Sequence, residues 1–369
     1  MISFQPTADD IAFVEVARKF ATHALGPVMR DVESTKQIPD NVLKEIKELG
    51  LLEMEEAASM GGLELSLTTQ VQVQRALATG DLASMQGMPG LNDSASFFRL
   101  HNISLDKIDH PEPTFAYISE LQVNHFSTLR LQENVLSGKS LPARGVKIAT
   151  HFLIAMKNEN DQAILLLLPY KAIAEVAEGK SCLGLAAANI GAVRFDNCLI
   201  DESNIIARGE EASSLIEKAE ARIRVLQAAK QVGLMEVACD YATEYTATRK
   251  AFGEEIAKFQ AVSFRIAKML MEKRMTNHLV LEAAQALDEE HTDAIQKSKK
   301  ALFQAHQAIK FVTDSAVQLL GGHGYVQDYP VEKWMRDAQA QVILYENEHS
   351  LRLTYGMELI NVNEKMVIG

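Results

Sequence analysis

The chain reads as a mainly α protein in three parts: an N-terminal helical domain over 1–108, a small middle β-domain over 109–208, and a C-terminal four-helix bundle over 209–369. Three observations predict this order. Apolar residues step by three and four through the first hundred positions. Short segments broken by Pro, Gly and Asn fill 111–206. Long proline-free helical patterns return from about Glu211.

Phe13, Val16, Phe20 and Ala24 lay one apolar stripe along a first helix. Pro39 opens a second over 40–52, carrying Val42, Leu43, Ile46, Leu49 and Leu52, with Gly50 weakening its last turn. A Gly61-Gly62 turn precedes a helix over 66–79, and 87–93 reads as loop. Segments 114–118, 146–156, 163–168 and 192–195 read as strands of a small sheet or barrel. Helices are expected over 212–249, 257–287 and 292–320, with a fourth over 331–361 completing an antiparallel bundle. In the second of these, Phe259, Val262, Ile266 and Met269 keep the three-four step and leave Arg265, Lys268 and Glu272 outside.

The bulk numbers exclude several classes. A formal net charge of −12 argues against a nucleic-acid binder, which needs a basic face, yet leaves room for a local basic pocket for an anionic ligand. The longest apolar run, 163–169, is far too short to span a bilayer. Residues 1–10 show no basic region followed by an apolar stretch, so no secretory signal is expected and the cytoplasm is the default location. Cys182, Cys198 and Cys239 cannot all pair and fit no metal spacing; each reads as a small buried thiol in a reducing compartment, and no metal site is expected.

Three motifs carry chemistry. The first is Arg249-Lys250-Ala251-Phe252-Gly253 with Phe259-Gln260; the second is Gln318-Leu319-Leu320-Gly321-Gly322-His323-Gly324-Tyr325. The third runs through Asp328-Tyr329-Pro330-Val331-Glu332-Lys333 and Arg336-Asp337-Ala338 to Tyr345-Glu346. Gly321, Gly322 and Gly324 stand at a helix end, where a C-cap needs left-handed backbone and where main chain can approach a ligand closely. They form no dinucleotide fingerprint, because the third glycine position is Gln327 and a helix precedes them. Arg249 ends a helix, where a cation offsets the dipole. Arg336 and Asp337 read as structural pairs.

In order and spacing these motifs resemble the R-x-x-F-G, Q-x-x-G-G-x-G-Y and D-Y-P-V-E motifs of the acyl-CoA dehydrogenase family, and weaker matches at 49–51 and 61–66 extend the resemblance over most of the chain. It implies an acyl-CoA dehydrogenase-like fold with a small middle β-barrel, FAD as cofactor, and flavin-dependent oxidation of an acyl-CoA in fatty acid metabolism. Glu346 would remove the α-proton, and the electron-transfer flavoprotein would accept the electrons. Arg249, Phe252, Gln260, Gln318, Gly321 and Gly322 would bind cofactor; an arginine fork suits a diphosphate, here that of a neighbouring subunit in a homodimer or tetramer. Arg224 and Tyr345 would bind substrate, although Arg222 is an equally basic neighbour and both could be solvated. The chemistry requires the Glu346 carboxylate to face a water-poor pocket.

Two stretches depart from the family. The T-E-P-x-x-G-S-D segment that embraces the flavin ring is reduced to a Ser119-Glu120 echo within 117–124. Glu-Gly-Thr is replaced by Glu346-Asn347-Glu348, and a carboxylate at 348 is expected to repel a nearby phosphate. These departures suit an alternative role as partner subunit in a heteromer with a related chain.

Overall fold

A computed structural model describes residues 7–56, 58, 62–89, 93–101, 108, 110–121, 127–177 and 182–367. The chain starts with helix α1 (Ala8–Phe20), fixed by Thr7, whose hydroxyl accepts the Asp10 N–H while Asp10 accepts from the Thr7 N–H. It continues through one π turn (Ala21–Leu25) into α2 (Gly26–Thr35), with Pro27 in the first turn removing one backbone donor. Helix α3 (Asp40–Glu48) stops short of the span expected to 52, because Gly50 takes φ of +69° and turns the chain away. Then come α4 (Leu67–Ala78), α5 (Leu82–Gly87) and α6 (Ala95–Leu100). Gly61 and residues 90–92, in the turn and loop expected there, lie outside the described residues.

The β-domain consists of two four-stranded sheets. One has the order β1 (Phe115–Ser119), β4 (His151–Lys157), β5 (Ala163–Pro169), β8 (Ile205–Arg208); the other has β2 (Arg130–Gln132), β3 (Val135–Lys139), β7 (Ala192–Leu199), β6 (Glu175–Ala177). Side-chain alternation on β4 sorts its residues between two cores. Phe152, Ile154 and Met156 join Leu131, Leu136, Val193 and Phe195 between the sheets. Leu153 and Ala155 face the other way, packing with Leu215, Ile216 and Ala219 of the long helix that follows. Burial on both faces explains why β4 and β5 read as continuous apolar runs.

That helix, α7 (Gly209–Thr248), has 40 residues and spans about 60 Å at 1.5 Å per residue. A short hairpin, β9 (Lys250–Ala251) and β10 (Glu254–Glu255), leads to α8 (Gln260–Asp288) and α9 (Ala294–Leu320), which pack on α7 and on each other. The single helix expected over 331–361 is broken into α10 (Val331–Leu344) and α11 (Glu348–Val367). Tyr345 is extended, and the Asn347 side chain accepts the Ser350 N–H to start a new helix.

Buried ion pairs join the parts. Arg222 of α7 clamps Glu55 with two bonds of 2.9 and 2.8 Å, and Lys333 of α10 lies between Asp81 and Asp337. Asp337 also accepts the Leu185 N–H at 2.6 Å, and Arg336 pairs with Glu33 and Glu332, so both residues serve the structural role expected of them. Among the described residues no helix is long and apolar enough to cross a membrane.

Helices α4 and α7 touch closely at Gly233, where an added Cβ would lie 2.2 Å from the Arg75 carbonyl oxygen and 2.8 Å from Ala78 Cβ. Gly233→Ala is therefore expected to destabilise by about 1–3 kcal/mol through overpacking. Helix propensity alone would give a gain of up to ~1 kcal/mol. Urea unfolding separates the two signs.

Candidate active site

Glu346 stands in the three-residue break between α10 and α11, and every neighbour of that break is tied down. The Tyr345 hydroxyl donates to Asp93 at 2.8 Å. The Glu346 carbonyl lies 3.1 Å from Nε2 of His306 on α9. Asn347 caps α11, and Glu348 is bound by Lys310, Gln307 and Arg352. Hydrogen bonding from Lys310 holds the Glu348 carboxyl below its usual range. The charge expected to repel a phosphate is thus matched locally, and it fastens α11 to α9.

The Glu346 side chain points inward and is 11% exposed. Its Oε2 accepts from Arg224 Nε at 2.7 Å. Arg224 also reaches Glu220, one turn earlier, at 3.3 Å through Nη2, while Nη1 is buried without a partner. Glu220 in turn accepts from Tyr117 and Ser119 of β1, each at 2.9 Å. Burial would favour neutral Arg224, but Glu346 and Glu220 raise its pKa, and it stays cationic. The backbone N–H of Glu346 has no partner among the described residues. Neither of the two arginines is solvated, since Arg222 is buried against Glu55 and Arg224 against Glu346.

Behind Tyr345 lies a polar network that the sequence did not announce. Arg144, from the segment after β3, holds Asp93 through Nε at 2.8 Å and Nη2 at 3.0 Å. Gln227 of α7 donates to both Asp93 and Tyr345 at 2.8 Å, and Gln86 of α5 donates to Gln227 and to Gln341 of α10. Lys230, 1% exposed, lies 3.3 Å from Gln86 Oε1. Burial, reinforced by Arg144, drives its pKa well below the ordinary value despite Asp93. The physical reason is charge count: one carboxylate is shared between two buried cations, so charge on the lysine is disfavoured. Burial raises the Asp93 pKa, but Arg144 outweighs it and the net shift is downward.

A second feature opens at the far end of α7. Tyr245, Arg249, Ile256, Gln318, Gly321, Gly322 and His323 line an open groove of about 330 Å³. The Arg249 guanidinium has no partner among the described residues, and nothing lies within 4 Å of a Cβ placed on Gly321 or Gly322. A cation, an amide and bare main chain on one open face suit an anionic, elongated ligand such as the diphosphate of a dinucleotide. Of the three glycines expected to supply left-handed backbone only Gly321 takes a positive φ, +58°, with ψ of −130°. Phe252, 97% exposed, and exposed Gln260 lie outside this lining.

The sequence-predicted residues thus fall into two groups, Arg224, Tyr345 and Glu346 inside and Arg249, Gln318, Gly321 and Gly322 on the groove. Tyr345 commits its hydroxyl to Asp93 and Gln227. Asp93, Arg144, Gln227, Lys230 and His306 were missed. Lys230 carried a signal, a charge inside the 225–235 stretch of α7 where every residue is buried. Asp93 and Arg144 carried none, because their pairing spans 51 positions. Residues 122–124 of the degenerate flavin-embracing stretch lie outside the described residues. Of the three cysteines expected to be buried only Cys239 is, Cys182 being exposed and Cys198 half-buried, and among the described residues no cluster of His, Cys, Asp and Glu could hold a metal.

Two family models match the chain, "Acyl-CoA dehydrogenase, N-terminal domain" over residues 7–101 and "Acyl-CoA dehydrogenase, C-terminal domain" over 214–346. The chain is 23% identical to benzylmalonyl-CoA dehydrogenase of Aromatoleum aromaticum, covering 97% of this chain and all of that one. Its fold is similar to that of butyryl-CoA dehydrogenase from Megasphaera elsdenii, with a TM-score of 0.86 at 20% identity over 97% of this chain and all of that one. It is also similar to the FAD complex of PigA, with a TM-score of 0.85 at 19% identity over 97% and 99% of the two chains.

Asp93→Asn leaves Arg144 buried without its anion and is expected to cost about 3–5 kcal/mol. Because the folded pKa of Asp93 is depressed, its contribution is complete at neutral pH and is lost as pH falls below ~4. Unfolding curves for wild type and variant should therefore converge toward acid pH.

Proposed function

The chain belongs to the acyl-CoA dehydrogenase family, and from that premise we propose that it oxidises the Cα–Cβ bond of an acyl-CoA thioester to the trans-2-enoyl-CoA, with FAD as cofactor. The observation that carries this reading is the inward-facing Glu346 carboxylate beside its own unpartnered N–H. Glu346 removes the α-proton, and its N–H donates to the thioester oxygen, where charge develops as the proton leaves. Arg224 orients the carboxylate through the 2.7 Å bond. FAD, when bound, supplies the acceptor for the β-hydride.

Cofactor binding is divided between copies of the chain. Arg249, Gln318 and the main chain at Gly321 and Gly322 face outward and bind the diphosphate of a neighbour's FAD, with Phe252 and Gln260 extending the contact toward that neighbour. This makes a homodimer or tetramer the working unit, with electron-transfer flavoprotein as the electron acceptor. What supports it is the exposed, partnerless Arg249 in an open groove.

A second reading is favoured by one observation, the loss of the Gly-Ser-Asp stretch after Ser119-Glu120. In it the chain is the partner subunit of a heteromer, and its groove completes the FAD site of an active relative. The visible spectrum decides between them. An enzyme purified alone is yellow and bleaches with acyl-CoA, whereas a partner subunit is colourless until co-expressed with a related chain.

Glu346→Gln should keep the flavin and slow bleaching by about 10²–10⁴-fold, the usual contribution of a general base; unchanged bleaching would move the base elsewhere. Arg249→Ala removes a charge-assisted contact worth ~1.5–3 kcal/mol, so flavin retention through gel filtration should fall while monomer folding is unaffected.

A further inference from the structure

His306 sits on α9 directly behind Glu346. It is fully buried, with Nε2 3.1 Å from the Glu346 carbonyl oxygen and Nδ1 3.1 Å from Oε1 of Gln231 on α7. Burial drives its pKa down to about 4, and the two charged groups facing it, Glu348 and Lys310, act in opposite directions. The ring is therefore neutral, with one N–H and one lone pair. A carbonyl can only accept, so the hydrogen is on Nε2 and the lone pair on Nδ1. Gln231 must then offer its NH2 group to Nδ1. As placed, Gln231 turns Oε1 there and leaves Nε2 buried without a partner. Exchanging the two amide atoms satisfies both groups at once.

We propose that His306 is a positioning residue for Glu346, its Nε2–H fixing the carbonyl of residue 346 while Gln231 selects the ring tautomer. This rests on the reading of Glu346 as the proton acceptor. Residues 345, 347 and 348 are already held by Asp93, by the α11 cap and by Lys310. With the 346 carbonyl also tied, the groups of that residue left to meet a ligand are its carboxylate and its N–H. One imidazole hydrogen bond thus sets the direction in which both are presented.

Two measurements test the proposal. In ¹⁵N-histidine-labelled protein, the resonance lost in His306→Leu should show hydrogen on Nε2 and a bare Nδ1 between pH 5.5 and 8. A ring protonated on both nitrogens, or on Nδ1 alone, overturns it. In stopped-flow bleaching by butyryl-CoA, His306→Leu should lower the limiting rate about 10–100-fold, the scale of a misplaced reacting group. The half-saturating concentration and the flavin content should stay nearly unchanged. His306→Gln, which keeps a donor near the Nε2 position, should recover most of the rate, so misfolding of the leucine variant does not decide the outcome. A wild-type limiting rate in His306→Leu overturns the positioning role. Should the wild type not bleach at all, the dehydrogenase reading falls and the positioning role with it, while the tautomer spectrum still reports the His306–Gln231 pair as a structural contact.

Discussion

Helix α7 has to bury polar side chains on several of its faces at once, and the rest of the molecule is arranged around that requirement. Arg222, Arg224, Gln227, Lys230 and Gln231 all lie within three turns, and each is at least nine-tenths buried. A buried donor without an acceptor costs roughly 1–3 kcal/mol, so each must find a partner. The partners come from different parts of the chain: Glu55 after α3, Glu346 after α10, Asp93 before α6, Gln86 on α5 and His306 on α9. Satisfying one helix therefore fixes where the N-terminal domain, the β-domain and the last two helices meet.

The break at residues 345–347 is the second product of the same demand. A continuous helix over 331–361 would carry Tyr345 and Glu346 around its surface at fixed intervals. Extended backbone at Tyr345 instead lets its hydroxyl reach Asp93 while the next carboxylate reaches Arg224. Asn347 restarts the helix immediately, and Glu348 anchors it. The Glu-Asn-Glu sequence that departs from the family pattern has its own physical logic, a cap followed by an anchor.

The architecture was legible because it is written in local periodicity. The stripe through Phe13 and Phe20, the apolar run at 163–168 and the proline-free runs after Glu211 each announce their element without reference to the others, whereas the strand expected over 146–156 begins only at His151, residues 144–148 forming a turn. Strands β2, β3, β6 and β8 were not foreseen, because each is short and acquires its apolar neighbours only in the folded sheets. The groove was traceable where its lining is contiguous, as at Gln318 to Gly322, whereas of the stretch from Arg249 to Gly253 only Arg249 lines it. The inner site was illegible where charges pair over long separations. Nothing in the neighbourhood of Arg144 names Asp93, and nothing around His306 distinguishes a core imidazole from one that holds a backbone carbonyl. The break at 345 was hidden for the same reason, since the residue that pulls Tyr345 out of the helix lies 252 positions away.

The open groove has a different kind of consequence, one for descent. The Arg249 and Gln318 side chains take part in no hydrogen bond or ion pair among the described residues, so their replacement costs the fold little. A duplicated gene can drift on that face while its product still folds. The interior of α7 allows less freedom, because changing Arg222, Arg224 or Gln227 takes a donor from an inward-facing carboxylate. Sequence change is thus easiest on the groove face and hardest along the buried stretch of α7.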